Sequence, residues 1–310
     1  MPRVGVLLMA HGTPSSLDEM PEYLRVVRGG RPASAELIAE MQHNYGAIGG
    51  RSPLTDITLA QAAALEARLG GELPVSVGMR NWRPFIKDAL SDLAARGIER
   101  VIGIPMAPQF STLSVQKYID AAQSALSALR ALSTLSTLST GPAGLRFDPV
   151  RSFHAHPLLV EAFAERLRAA APSAGELVVF TAHSLPARVI EAGDRYADEV
   201  TATARAVAAS SQVAGVGQYE VAYQSAGRTP EPWIGPELGA LVRERAAAGT
   251  RRFLIAPVGF VCDHTEILFD IDVQAVSVAR EAGAELRRTE SLNTSATFIG
   301  MLEDIVRGML

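Results

Sequence analysis

Short continuous apolar runs recur along this chain, each followed by a longer stretch with helical periodicity. An apolar run without polar alternation suits a strand buried on both faces, and such strands belong to parallel sheets covered by helices. Runs at 4–10, 75–79 and 101–107 in the first half read as strands, and the more mixed stretches 147–153, 177–182, 219–224, 252–256 and 284–289 are expected as strands in the second. Helical patterns lie between them. In the first half they cover 17–47 (broken at Gly29-Gly30 and Pro32), 56–69, 85–96 and a helix carrying Tyr118 on to about Leu132. In the second half they cover 157–170, 187–209, 236–248, 266–282 and, last, 296–309. Strand and helix alternate throughout, which predicts an α/β protein with a doubly wound parallel layer in each half.

A chain of 310 residues suggests two domains. Residues 132–140 read LSTLSTLST, with neither helical nor strand period, and Gly141-Pro142 follow. This reads as a surface connection and places the expected boundary between domains 1–141 and 142–310, the last helix packing back on the first domain. The halves also share a local pattern. Ala10-His11-Gly12-Thr13-Pro14 follows one strand and Ala182-His183-Ser184-Leu185-Pro186 follows another.

Composition excludes several classes. The net charge of −4 gives no nucleic-acid footprint and no polybasic patch for an anionic membrane. Cys262 is the single cysteine, so the chain holds no internal disulfide, zinc knuckle or all-cysteine iron–sulfur cluster. No apolar run reaches the ~18 residues of a membrane span, and Met1-Pro2-Arg3 leads straight into a strand without a signal-peptide pattern. A soluble cytoplasmic protein is expected. There is no P-loop, and Gly215-Val216-Gly217 lacks both the third glycine and the preceding strand of a dinucleotide fingerprint.

The densest chemistry lies at 253–274. A buried strand breaks at Pro257-Val258-Gly259-Phe260. Asp263 then stands at an N-cap position with Glu266 three residues on, the spacing of a capping box. On a regular helix Glu266, Asp270 and Gln274 share one face. Ligands of open α/β sheets bind at the C-terminal strand edge, where His11, Arg80, Asn81 and His183 also fall. Histidine with carboxylates in one cleft suits proton transfer or a divalent transition metal. No short metal signature such as H-E-x-x-H occurs, so a transient metal site fits better than a permanent one. Each residue also has a plainer role: Glu266 as a cap, His183 or His11 as a loop holder, Tyr118 and Trp233 as packing. His154 and His156 read as structural. The residues alone lead to an α/β enzyme or binding protein with a His/carboxylate cleft.

Several motifs then resemble the ferrochelatases: AHSLP at 182–186, YQSAGRTPEPWIGP at 223–236 and PVGFVCDHTEILFD at 257–270. MAHGTP at 9–14, IGGRSPL at 48–54 and PQFST at 108–112 join them in family order. The resemblance, strongest to the small soluble bacterial coproporphyrin III enzymes, implies two Rossmann-like domains facing a porphyrin cleft. It implies a lyase of haem biosynthesis that inserts Fe2+ into a porphyrin with loss of two pyrrole protons. It places the metal-site histidine on His183 and glutamate on Glu266, with Asp270 next in an acidic ladder. Gln274 stands where a third acid is frequent. His11 replaces a tyrosine that can ligate the inserted iron, and resembles the first His-Gly pair of cobalt and sirohydrochlorin chelatases. A Lys-His pair of some members is Arg80-Asn81 here. Porphyrin contacts fall on Arg28, Asn44 (an arginine elsewhere), Tyr45, Ser52 and Tyr118. The implied partners are porphyrin and Fe2+ as substrates, with transient contact to other haem-pathway enzymes, and no resident cofactor.

The 15–47 region carries Arg25, Arg28 and Arg31 and no long exposed-looking apolar run. An amphipathic membrane helix needs a broad apolar face, which Gly29-Gly30 interrupts. Coproporphyrin III, with four propionates, is therefore the expected substrate. The alternatives are a protoporphyrin IX ferrochelatase, a cobalt or sirohydrochlorin chelatase, and a haem carrier without turnover.

Overall fold

Eight strands pair into two parallel four-stranded sheets in a computed structural model of the chain, which describes residues 3–135, 144–213, 218–227 and 229–310. In the first half β1 (Val4–Ala10) leads through α1 (Met20–Val27), α2 (Ala35–Ala47) and α3 (Leu54–Arg68) to β2 (Val75–Met79). Next come α4 (Ile86–Ala95), β3 (Arg100–Pro105), α5 (Val115–Leu135) and β4 (Arg146–Pro149). The second half runs α6 (Pro157–Ala170), β5 (Leu177–His183), α7 (Ala187–Glu191), α8 (Tyr196–Ser211), β6 (Tyr219–Gln224), α9 (Leu238–Ala247) and β7 (Arg252–Ala256). It ends with α10 (Thr265–Leu268), a π-helical segment (Asp270–Ala275), α11 (Val276–Glu281), β8 (Glu285–Arg288) and α12 (Ala296–Met309). The sheet orders are β2-β1-β3-β4 and β6-β5-β7-β8, one topology used twice.

Three local readings change. The strand expected over 147–153 is shorter and joins the first sheet as its edge, so the chain enters the second layer only after it. Gly103 on β3 makes room for it: a Cβ there would lie 2.3 Å from the Phe147 ring. Asp148 also pairs with Arg100 at 2.7 Å. The helix expected over 187–209 is split into α7 and α8 by a turn at Gly193 (φ 95°). The 132–140 repeat begins as the end of α5, whereas 136–140, Gly141-Pro142 and Gly215-Val216-Gly217 lie outside the described residues.

One core spans both halves. Leu8 and Ile104 of the first sheet, Phe180 and Leu254 of the second, and Phe298 and Leu302 of α12 belong to a single buried cluster. The last helix packs on both α3 and α6. Two polar ties reinforce it: Arg68 to Glu303 at 2.7 Å and the Gln61 amide to the Asn293 carbonyl at 2.7 Å. The apolar side chains of α6 and α12 thus fill the space between layers that neither sheet could cover alone.

The turn after β7 lies directly on β5. Gly259 N–H donates to the Thr181 carbonyl at 3.0 Å, and a Cβ on Gly259 would meet the Ala182 Cβ at 2.6 Å. Gly259→Ala is therefore expected to cost about 1–3 kcal/mol, the usual scale of overpacking, read as a lowered urea midpoint. An unchanged midpoint would show that the turn yields freely.

Candidate active site

The strand order decides which side chains meet. In each sheet the strand order reverses between β1 and β3 or between β5 and β7, and the crevice beyond the carboxyl ends of those strands is where ligands of such sheets bind. His183 is the last residue of β5, and the segment after β7 lies beside it. Its carbonyl accepts the Tyr196 hydroxyl at 3.0 Å. Glu266 arrives on α10, and its Oε2 lies 2.8 Å from His183 Nδ1. Both side chains remain open to the cleft, 36% and 35% exposed. With the Nδ1 proton held by the carboxylate, Nε2 is left to present its lone pair.

Asp263 does not cap this helix as its spacing suggests. The N-cap is His264, in extended conformation and without a side-chain capping bond. Asp263 instead accepts from Ser291 Oγ at 2.7 Å and Asn293 Nδ2 at 2.9 Å and pairs with Arg288 at 3.1 Å. A cation and two side-chain donors outcompete one backbone N–H, and they leave Glu266 to His183. The regular helix expected over 266–282 is also interrupted. Gln274 N–H bonds back five residues to the Phe269 carbonyl at 2.9 Å. This π-type widening breaks the 3.6-residue stacking, and Gln274 is exposed.

The end of β6 completes the second wall. Ser225 Oγ donates to Asp270 Oδ2, and Gln224 Nε2 donates to the Glu266 carbonyl at 2.5 Å. Partial burial opposes the Glu266 charge, but the charge of His183 and its hydrogen bond outweigh this and hold the carboxyl well below its usual range. Desolvation pulls His183 down, and Glu266 with Asp270 overcomes it, raising the imidazole above 6.5. Burial, then the Glu266 charge, pushes Asp270 up to about 7. The site thus keeps one fixed carboxylate, an imidazole whose charged form is favoured, and one carboxyl that titrates at about 7.

His11 directly follows β1 on the opposite wall. The charges of Glu266, His264 and His183 also act on it. Burial first, then Arg80, lowers it to about 4, which leaves a neutral imidazole at working pH. Its Nε2 lies 3.1 Å from the Tyr23 hydroxyl and the Asn81 amide sits against the ring at 3.1 Å. Tyr23, which the sequence did not single out, is buried against Trp82 with ring centroids 5.8 Å apart. His264 is a second imidazole missed by the sequence reading. Its Nδ1 bonds the Cys262 carbonyl at 2.9 Å. Among the described residues no three His, Cys, Asp or Glu side chains converge as a preformed metal cage. His183 and Glu266 are a pair, with His11 across the cleft.

The other sequence candidates divide. Tyr45 and Tyr118 are buried, the latter with the Arg80 guanidinium 5.4 Å from its ring centroid. Ser52 is buried and accepts from Leu54 N–H at 3.4 Å, while Asn44 is half-buried. Arg28 is exposed at the end of α1, and Arg31 donates to its carbonyl at 3.2 Å. His154 and His156 lie in carboxylate contacts with Glu199 and Asp304.

Comparison with known proteins adds a family. The family model described as Ferrochelatase matches residues 3–310. A ferrochelatase of Deinococcus radiodurans is 40% identical over 312 residues, spanning 98% of this chain and 95% of the relative. A coproporphyrin III ferrochelatase of Geobacillus kaustophilus is 37% identical over 314 residues, covering 97% and 94%. Among solved structures, SirB from Bacillus subtilis with Fe3+ superposes at TM-score 0.59 with 11% identity, covering 98% of this chain and 94% of that one. At that identity the likeness concerns the fold.

Because Asp270 holds its proton up to about 7, against an ordinary 3.8, the folded state binds an extra proton between those values. Its contribution to stability therefore falls as pH rises through that window. In Glu266→Gln the Asp270 midpoint should drop, stopping above 3.8 because burial remains. Carboxyl 13C NMR titration reads this directly, and an unmoved midpoint would remove Glu266 as a cause.

Proposed function

This chain belongs to the ferrochelatase family and has ferrochelatase activity, and we propose that its porphyrin substrate is coproporphyrin III, handled in the cytoplasm between His11 on one wall and the His183–Glu266–Asp270 set on the other. The observation that carries the substrate choice is the exposed guanidinium of Arg28, which has no ion-pair partner among the described residues. It stands on the helix whose Tyr23 touches His11. Arg25 and Arg31 are exposed beside it. Such a rim suits several carboxylates through charge-assisted hydrogen bonds. The α1 helix stops before Gly29 (φ 64°) and Gly30 (φ 92°), so it offers no long apolar face. No helix among the described residues is long and apolar enough to cross a membrane. The 37% identity to a relative named coproporphyrin III ferrochelatase supports the same reading.

In the proposed mechanism the two walls hold the macrocycle and bend it. The bend exposes pyrrole lone pairs at a strain of ~1–5 kcal/mol drawn from remote binding energy. The neutral form of His183 accepts a pyrrole proton at Nε2, and Glu266 stabilises the imidazolium through Nδ1. Asp270, poised near pH 7, passes protons on toward solvent. The fixed negative charge of Glu266 draws Fe2+ into the cleft, and neutral His11 offers the ion a lone pair from the opposite wall. Both pyrrole protons leave as the ion enters, so the charge on the macrocycle centre balances. Fe2+ is a substrate throughout, and the scheme needs no resident cofactor.

Steady-state kinetics in detergent-free anaerobic buffer should give a higher kcat/KM for coproporphyrin III than for protoporphyrin IX. The reverse order would overturn the substrate choice. Arg28→Ala should raise KM for coproporphyrin about tenfold, the scale of one hydrogen bond to a charged group, and an unchanged KM would remove that arginine from recognition. His183→Ala should lower kcat by ~10² or more, as for loss of a general base, with porphyrin binding retained. Full activity would take His183 out of the chemistry.

A further inference from the structure

The PQFST loop at 108–112 is singled out by the sequence but has no part in the chemistry above. It leaves the first sheet at the end of β3, and several of its polar groups are satisfied by the second half. Thr112 N–H and Oγ1 donate to Asp194 Oδ2 at 2.7 and 2.8 Å. Ser111 Oγ donates to the same oxygen at 3.1 Å. The other oxygen, Oδ1, accepts from Tyr196 N–H at 3.0 Å, at the start of α8. Tyr196 is 5% exposed, and its hydroxyl is the group that donates to the His183 carbonyl at 3.0 Å. A chain of hydrogen bonds therefore runs from the loop through Asp194 and Tyr196 to His183.

A second chain leaves the same loop. Gln109, 1% exposed, donates from Nε2 to the Val258 carbonyl at 3.1 Å and to Thr203 Oγ1 at 3.1 Å. Val258 lies in the turn that precedes α10 and so leads to Glu266. Phe110 N–H donates to Glu199 Oε2 at 2.7 Å, which fixes the loop to α8 between the two chains. Both members of the His183–Glu266 pair are thus referenced to one loop of the opposite half. If the loop shifts as a body, both follow. If one tie is lost, one member moves without the other.

We propose that the 108–112 loop sets the relative position of His183 and Glu266, which makes Asp194 and Gln109 positioning residues for metal insertion. The proposal rests on the reading of His183 and Glu266 as the reacting pair. Plain cementing of the interface would account for buried polar bonds between the halves. It does not account for both ties ending on the two segments that carry the reacting groups. Elsewhere the halves are joined by Arg68–Glu303 at 2.7 Å, which leads to neither, and by Gln61 on the Asn293 carbonyl at 2.7 Å, which reaches the Glu266 segment through Asp263 but not His183.

Asp194→Asn keeps the shape and turns one acceptor into a donor facing Thr112 N–H or Tyr196 N–H. It should lower kcat about tenfold or more, since small displacements of reacting groups cost that much, with porphyrin binding by fluorescence quenching retained. Glu303→Gln, which loosens the other tie, should leave kcat within about twofold. The deciding test is a double-mutant cycle. In a His183→Ala background Asp194→Asn should cause no further loss, because it acts through His183. If His183→Ala is slow but Asp194→Asn runs at full rate, or if the two losses multiply, the positioning role is overturned while the reacting pair stands. If His183→Ala alone is fully active, the underlying reading falls and this proposal falls with it. Should Asp194→Asn not fold, Tyr196→Phe removes only the hydroxyl on the His183 carbonyl and must show the same non-additivity.

Discussion

The 2.8 Å contact between His183 and Glu266 is the interaction on which the rest of this site depends. It sets the electrostatics of its surroundings. The histidine holds the glutamate ionised, the glutamate raises the histidine, and the same fixed charge helps lift Asp270 to about 7. The two residues are 83 positions apart, and the sheet order β6-β5-β7-β8 is what brings them together. Because β7 lies beside β5, the segment after β7 must pass over the carboxyl end of β5. Gly259 allows that passage by approaching Ala182 more closely than a side chain would permit.

The opposite wall has the same topology and a different electrostatic outcome. His11 occupies the position in the first sheet that His183 occupies in the second. It has Arg80 and the Asn81 amide for neighbours rather than a carboxylate. Burial first and then Arg80 push His11 down to about 4, while Glu266 and Asp270 raise His183 against its own burial. A duplicated layer thus presents one protonatable and one neutral imidazole across a single cleft. The shared core through α12 and the polar ties across the halves keep the two walls at a defined spacing.

Much of this was legible in the sequence, because buried parallel strands and their helices leave strong local signals. The bounds of β1, β2, β6 and β7 agree with the strands read from the sequence, and His11, His183, Glu266 and Asp270 lie beyond strand ends. What escaped depends on partners distant in sequence. β4 reads as the opening of a second domain until Gly103 and Arg100 are seen to receive Phe147 and Asp148. Asp263 has the spacing of a cap but answers to Arg288, Ser291 and Asn293. The π-helical widening has no signature in the order of residues, so the acidic ladder read as more regular than it is. Tyr23 carries no local signal either, since only the packing of α1 beside Trp82 brings its hydroxyl to His11.

The central claim is that His183 and Glu266 work as one unit in metal insertion. Single-turnover insertion of Fe2+ under anaerobic conditions in Glu266→Gln, His183→Ala and the double variant tests it most directly. Residues acting as a unit lose their function together, so the double variant should be slower than the slower single by no more than about threefold. Rates that fall by the product of the two single effects would mean that the residues act independently and would contradict the account.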